Sequence, residues 1–237
     1  MIMKSYITNN IILQEEEIYR IFSDGTLGDK GFSITYFNQN SFNLFYSNGE
    51  YQKALKNSLV YQEGIGMFIA YKLWGISDVE RIDSGEVINW MLNLIISKKE
   101  PVAFIGGKFE EFDIKMRCEQ KELELEFYYQ GFLEEYQKNE LIEKLKSIKS
   151  RFILIGMGSP QQEILAHKLL QHFPDKIFIC IGNYMNYFLD YQKRAPILLR
   201  KLQLEWLYRL FREPKRLFKR YVIGIPLFFY RVFFLFK

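Results

Sequence analysis

The sequence predicts an α/β protein: a mostly parallel sheet flanked by helices, followed by a basic helical C-terminal appendage. Three observations carry this expectation. Short continuous apolar runs, such as Phe152–Ile155 and Ile177–Ile181, read as strands buried on both faces. Amphipathic stretches separate the runs, as the crossovers of a parallel sheet require. Glycines follow the runs directly, at Gly106-Gly107, Gly156, Gly158 and Gly182, where the chain must turn at the carboxyl ends of strands. The pattern is Rossmann-like.

Taken in chain order, Phe32–Phe37 reads as a strand entered from a turn at Gly28–Gly31. Asn40–Leu59 has mixed helical spacing, and Met67–Leu73 is an apolar helix. Val102–Ile105 is a strand running into a glycine pair, and Glu122–Tyr129 alternates as a strand does. Glu134–Lys149 is a charged amphipathic helix, and Gln162–Phe173 is a second one between the last two buried runs. Residues before Phe32 carry no diagnostic pattern. The α/β alternation stops near Lys193–Pro196, which divides the chain into a core, 1–193, and an appendage, 194–237.

With 49% hydrophobic and 25% charged residues, the 237-residue chain has the composition of a globular protein with a real core, not a disordered one. Cys118 and Cys180 form no metal spacing and no disulfide framework, which fits a reducing compartment. The start of the chain lacks a basic segment followed by an apolar run, so no signal peptide is expected.

The net charge of +4 is concentrated near the end. From Arg194 to Arg220 nine Lys/Arg face two acids, Glu205 and Glu213. Tyr221 to Lys237 is then apolar and aromatic, interrupted only by Gly224, Pro226 and Arg231 before the terminal lysine. This stretch is shorter than the roughly 20 residues of a membrane span. Basic residues next to an aromatic segment suit the face of an anionic membrane, so a peripheral association is expected. A helix packing its aromatic face on the chain's own core is the alternative. Interleaved basic and aromatic residues also raise nucleic-acid binding. The polar glycine turns of the core and the apolar ending argue against it, and no nucleic-acid partner is expected.

Four constellations can carry chemistry. The turn Gly156-Met157-Gly158-Ser159-Pro160-Gln161-Gln162-Glu163 follows a strand and opens a helix. Small residues there let backbone N–H groups approach a phosphate, Pro160 suits a first helical turn, and Gln162 and Glu163 add polar side chains. The same spacing also fits a plain strand-to-helix turn. In Glu63-Gly64-Ile65-Gly66 a carboxylate precedes an apolar helix, as a general base or as an ordinary helix-start acid. Thr35 and Asn38 end the first strand and can orient a hydroxyl or cap a helix. Arg194, Arg209, Arg212 and Arg216 offer planar cations suited to phosphate, or a solvated basic face.

In this order the four constellations resemble the WecG/TagA/CpsF family of glycosyltransferases. Gly156–Glu163 is similar to the family's Gly-x-Gly-x-Pro-x-Gln-Glu signature. Arg194-Ala195-Pro196, Leu204–Arg209 and Glu213-Pro214 match its C-terminal segments; Pro101–Gly107 and Gly131-Phe132 match two others. The resemblance implies an inverting, metal-independent enzyme that needs no cofactor and works at the cytoplasmic face of the cell membrane. It would move a sugar from a UDP-sugar donor to a polyprenyl-diphosphate-linked acceptor sugar in cell-surface polysaccharide synthesis. It assigns Glu63 as base, with Thr35 and Asn38 beside it. Gly106, Gly107, Gly156, Gly158, Pro160, Gln162, Glu163 and Gly182 would hold the donor, and Arg194, Arg209, Arg212 and Arg216 the diphosphate or lipid. A catalytically impaired relative acting as a membrane-associated binding protein is the alternative.

The chain departs from the family pattern in three places. Glu63 stands where the family usually has aspartate. Ile181–Asn186 replaces a glycine-rich turn, and Ile82–Glu86 lacks the usual acid, for which Glu86 is the expected substitute.

Overall fold

The computed structural model describes residues 2–23, 28, 30–131, 134–202 and 204–234. Two helices, α1 (Ile2–Asn9) and α2 (Glu15–Ser23), precede β1 (Phe32–Phe37). Then come α3 (Gln39–Ser47), α4 (Gly49–Lys56), β2 (Leu59–Gln62), α5 (Gly64–Leu73) and α6 (Ser84–Ser97). The next part alternates: β3 (Val102–Gly106), α7 (Glu111–Gln120), β4 (Leu125–Tyr129), α8 (Glu135–Leu145), β5 (Phe152–Gly156), α9 (Gln161–His172), β6 (Ile177–Cys180) and α10 (Tyr184–Phe188). After it run α11 (Ile197–Lys201), α12 (Glu205–Arg212), α13 (Pro214–Phe218), a π-helical turn at Lys219–Ile223 and α14 (Gly224–Phe234).

The sheet has the order β2-β1-β6-β5-β3-β4, and every described pairing is parallel. The expected α/β fold therefore stands. Ile34, Ile179, Leu154 and Phe104 lie in register across the middle of the sheet. They point to one face, where α6 covers them with Val87, Ile88, Met91, Leu92 and Ile95. Their neighbours Ala103, Ile153 and Phe178 point to the other face, under Leu165, Ala166 and Leu169 of α9. Burial on both faces is why these strands read as unbroken apolar runs rather than alternating ones. A third cluster packs Phe37 and Val60 from the β1–β2 edge against α3, α4, α5 and α14.

Local boundaries differ from the expectations in physically simple ways. The stretch 40–59 breaks at Asn48, which ends α3 and caps α4 by accepting the Tyr51 N–H at 2.9 Å. β2 is an edge strand of four residues that directly follows a helix, so its short apolar run merges with the preceding helical pattern. Part of the Gly28–Gly31 turn, Phe132 and Lys237 lie outside the described residues.

No described helix is long and apolar enough to cross a membrane. One face of α14 packs on α3: Phe228 is buried edge-on against Phe42, with ring centroids 5.1 Å apart. Arg231 donates to the backbone and side-chain oxygens of Asn43 at 3.1 and 2.9 Å.

Candidate active site

The carboxyl ends of β3, β5 and β6 approach one another more closely than side chains allow. A methyl on Gly106 would lie 2.5 Å from the Gly156 carbonyl oxygen, and one on Gly156 would lie 2.8 Å from that of Gly182. A methyl on Gly182 would strike the Tyr36 hydroxyl. Glycine at these positions lets the strand ends close up beneath the space above the sheet. That space is a cavity of about 410 Å³. Tyr36 and Asn38 line it from β1 and the following turn, Glu63 from the β2–α5 turn, and Gly156–Ser159 from the β5–α9 turn. Arg194 lines it from the segment before α11, and Arg209, Arg216 and Arg220 line it from the C-terminal helices.

Glu63 stands at the N-cap of α5, yet its side chain caps nothing. One of its oxygens instead accepts the Asn38 amide N–H at 2.7 Å. Asn38 is fixed in turn, because its carbonyl oxygen accepts the N–H groups of Asn40 and Ser41 at 3.0 and 3.1 Å as the N-cap of α3. Burial pushes the Glu63 carboxyl above the usual range. The Asn38 bond and the Arg220 and Arg209 charges oppose this, and Asp83 adds to it. The arrangement holds a carboxylate of raised basicity in the lining of the cavity.

The β5–α9 turn has two layers. Gly156, Met157, Gly158 and Ser159 face the cavity, as do Gly107 and Gly182. Gly106, Pro160, Gln162, Glu163 and Thr35 are absent from its lining. Thr35, Gln162 and Glu163 are fully buried beneath it. One Glu163 oxygen accepts from Thr35 Oγ1 (2.9 Å), Ser159 Oγ (2.8 Å) and Gln162 Nε2 (2.9 Å). The other has no hydrogen-bond partner. Burial raises the Glu163 carboxyl above its ordinary value, and these three bonds offset only part of the rise. Gln162 Oε1 accepts the N–H groups of both Gly158 (3.2 Å) and Gly182 (3.0 Å). The backbone donors expected to face a phosphate are thus already engaged at these two glycines. The Gly107 N–H likewise reaches the Gly156 carbonyl at 3.3 Å.

The cationic side of the cavity divides in the same way. Arg194 Nη2 donates to both oxygens of Asp83, at 2.7 and 2.8 Å, and lies 3.5 Å from Glu205. Arg216 is paired with Glu213 at 2.5 Å. Arg212 is exposed, lies over the Tyr208 ring at 5.9 Å, and does not line the cavity. Arg209 and Arg220 each bury an Nε that has no hydrogen-bond partner. Arg220, Asp83, Tyr36 and Arg81 are cavity residues that the motifs did not single out for the site. Arg220 lay inside a basic run, where nothing marks which cations turn inward. Glu86 pairs with Arg200 at 3.5 Å and is itself outside the lining. Among the described residues, no group of three or more His, Cys, Asp or Glu side chains gathers as metal ligands do.

A parallel sheet with its cavity at the carboxyl strand ends, lined by a carboxylate and by arginines, is the architecture of an α/β ligand-binding protein and suits an anionic ligand. A model of the Glycosyl transferase WecG/TagA/CpsF family matches residues 10–236, nearly the whole chain, and the chain belongs to that family. It is accordingly a glycosyltransferase of cell-surface polysaccharide synthesis, with a sugar donor and a lipid-linked acceptor as its substrates.

Proposed function

We propose that the protein transfers a sugar from a UDP-sugar to a polyprenyl-diphosphate-linked sugar with inversion at the anomeric carbon. One observation carries this reading: the Glu63 carboxylate and the Gly156–Ser159 turn open onto one cavity that Arg209, Arg216 and Arg220 also line. Glu63 removes the proton from an acceptor hydroxyl as that oxygen bonds to the anomeric carbon. The bond from that carbon to the diphosphate breaks on the opposite face, and UDP leaves with the bonding pair. Asn38 aims the base. Arg209 and Arg220, whose Nε donors lack partners, offset the charge that grows on the leaving diphosphate. Arg216 assists from the rim. In this reading arginines supply the countercharge and transfer proceeds without a metal, so activity persists in excess chelator.

Gly107, Gly156, Gly158 and Gly182 give the donor room. Gly106, Pro160, Thr35, Gln162 and Glu163 hold that surface from beneath. Residues 194–237 form the appendage that seats the enzyme on the cytoplasmic face of the membrane. Support comes from the exposed apolar side chains there, among them Leu198 (67% exposed), Phe211 (78%) and Phe234 (66%), interspersed with exposed Lys201, Lys215 and Lys219.

The test is Glu63→Gln, assayed with UDP-sugars and a short-chain prenyl-diphosphate sugar. The expected result is loss of transfer by a factor of about 10² or more, with UDP binding retained. Unchanged turnover removes the base from the mechanism. Wild-type protein that binds UDP-sugar and acceptor without any turnover would favour the impaired-relative reading.

A further inference from the structure

The first turn of α6 meets the C-terminal helices through charges that the transfer mechanism leaves unused. Asp83 is the N-cap of α6, and its Oδ1 accepts the Gly85 N–H at 2.8 Å. The same carboxylate takes both contacts from Arg194 Nη2. That nitrogen also faces Glu205, the first residue of α12, at 3.5 Å. The pair is mostly shielded, with about a fifth of each side chain exposed. A methyl on Gly85 would lie 2.6 Å from Arg194 Nη2, so the guanidinium is laid directly against the helix backbone. One turn along α6, Glu86 reaches Arg200 of α11 at 3.5 Å. Core acids therefore meet appendage arginines twice, at one edge of the cavity.

We infer that Asp83, Arg194 and Glu205 form a latch that holds α11 and α12 over the cavity, and that Arg194 is a positioning residue rather than a ligand of the diphosphate. This rests on the transfer reading proposed above for what the closed cavity does. A guanidinium nitrogen shared by two carboxylates has little left to offer an anion, and pulling it away would strand Asp83 partly desolvated. Its effect on catalysis is to place Arg209 and Trp206, both on α12, against the site and to keep water from the donor.

Asp83→Asn tests the latch, because asparagine caps a helix as well as aspartate does, while the charge and one of the two acceptors facing Arg194 are lost. Two readouts are expected to move. On the full-length protein without substrate, amide hydrogen exchange across 197–212 becomes about tenfold faster while the sheet is unchanged. In the transfer assay the donor KM rises severalfold, and a larger share of donor is lost to hydrolysis. Glu205→Gln, which leaves the cap untouched, moves both in the same direction by a smaller factor. If Arg194 instead served the diphosphate, freeing it from Asp83 would lower the donor KM. A lower donor KM, or unchanged exchange in 197–212, overturns the latch. Exchange is read without turnover, so a wild-type protein inactive on UDP-sugars would sink the transfer reading while leaving the latch testable.

Discussion

Asn38 and Glu63 are joined by a 2.7 Å hydrogen bond, and the same Asn38 side chain caps α3 through its other end. A residue that closes a helix with its carbonyl oxygen cannot also rotate, so its amide is fixed on the carboxylate. Asn38→Asp keeps the cap, since aspartate caps equally well. It replaces the donor with a second carboxylate beside a group already pushed up by burial. In the proposed mechanism Glu63 works ionised, so activity lies above its pKa. The acid limb of the kcat/KM profile should move to higher pH, with kcat at neutral pH down at least tenfold. Asn38→Ala should move the limb the same way and also cost about 1 kcal/mol of stability through the lost cap. An unmoved limb in both variants separates Asn38 from the base.

Glu163 makes a prediction about stability rather than rate. Its folded pKa is raised by burial above the ordinary carboxylate value of 4.5. The folded state therefore holds the proton more tightly than the unfolded chain does. The carboxyl costs nothing below pH 4.5, and the cost grows as pH climbs from there through the raised folded value. Glu163→Gln removes this slope while its oxygen still accepts from Thr35, Ser159 and Gln162. The variant's unfolding free energy, measured against the wild type by denaturant between pH 4.5 and 8, should gain relative to it as pH rises. A constant difference across that range places the ionisation of Glu163 outside the stability of the fold.

Gly182 has φ +54°, and its absent side chain leaves room for the Tyr36 hydroxyl. Gly182→Ala combines two costs: about 1 kcal/mol for a left-handed backbone, and an overlap of about 1–3 kcal/mol. Tyr36→Phe removes the oxygen that would be struck. The double variant should recover the overlap portion and retain the backbone portion, in a thermal-melt double-mutant cycle. Strict additivity would mean that the two residues do not meet.

Much of this architecture is legible before any coordinates. Phe152–Ile155 and Ile177–Ile181 announce buried strands because residues covered on both faces need no polar alternation. Gly106, Gly156 and Gly182 announce the strand ends because only glycine fits where backbones crowd. The strand order is not legible, since nothing local in β2 or β4 says which strand it will lie beside. The roles within the signature Gly156–Glu163 are hidden for a related reason. Gln162 and Glu163 are as polar as any ligand-binding pair, and only the path of α9 turns them under the loop. The same holds for the arginines: Arg212 and Arg220 look alike in sequence, but Arg212 ends α12 and points outward, whereas Arg220 sits in the π-helical turn at Lys219–Ile223 and lines the cavity.

The outward face of the C-terminal helices supplies the last prediction. Lys215 and Lys219 are exposed and do not line the cavity. Each basic residue near an anionic surface contributes about 1 kcal/mol, and reversal adds repulsion of similar size. The double variant Lys215→Glu, Lys219→Glu should weaken sedimentation with phosphatidylglycerol-containing vesicles by a factor of about 30 or more. The wild type's own binding should fall as salt rises, because the attraction is screened within about 10 Å at 0.1 M. Turnover of a soluble short-chain acceptor should stay unchanged, since neither lysine reaches the cavity. Equal sedimentation of variant and wild type would remove Lys215 and Lys219 from the membrane-facing surface this reading gives them.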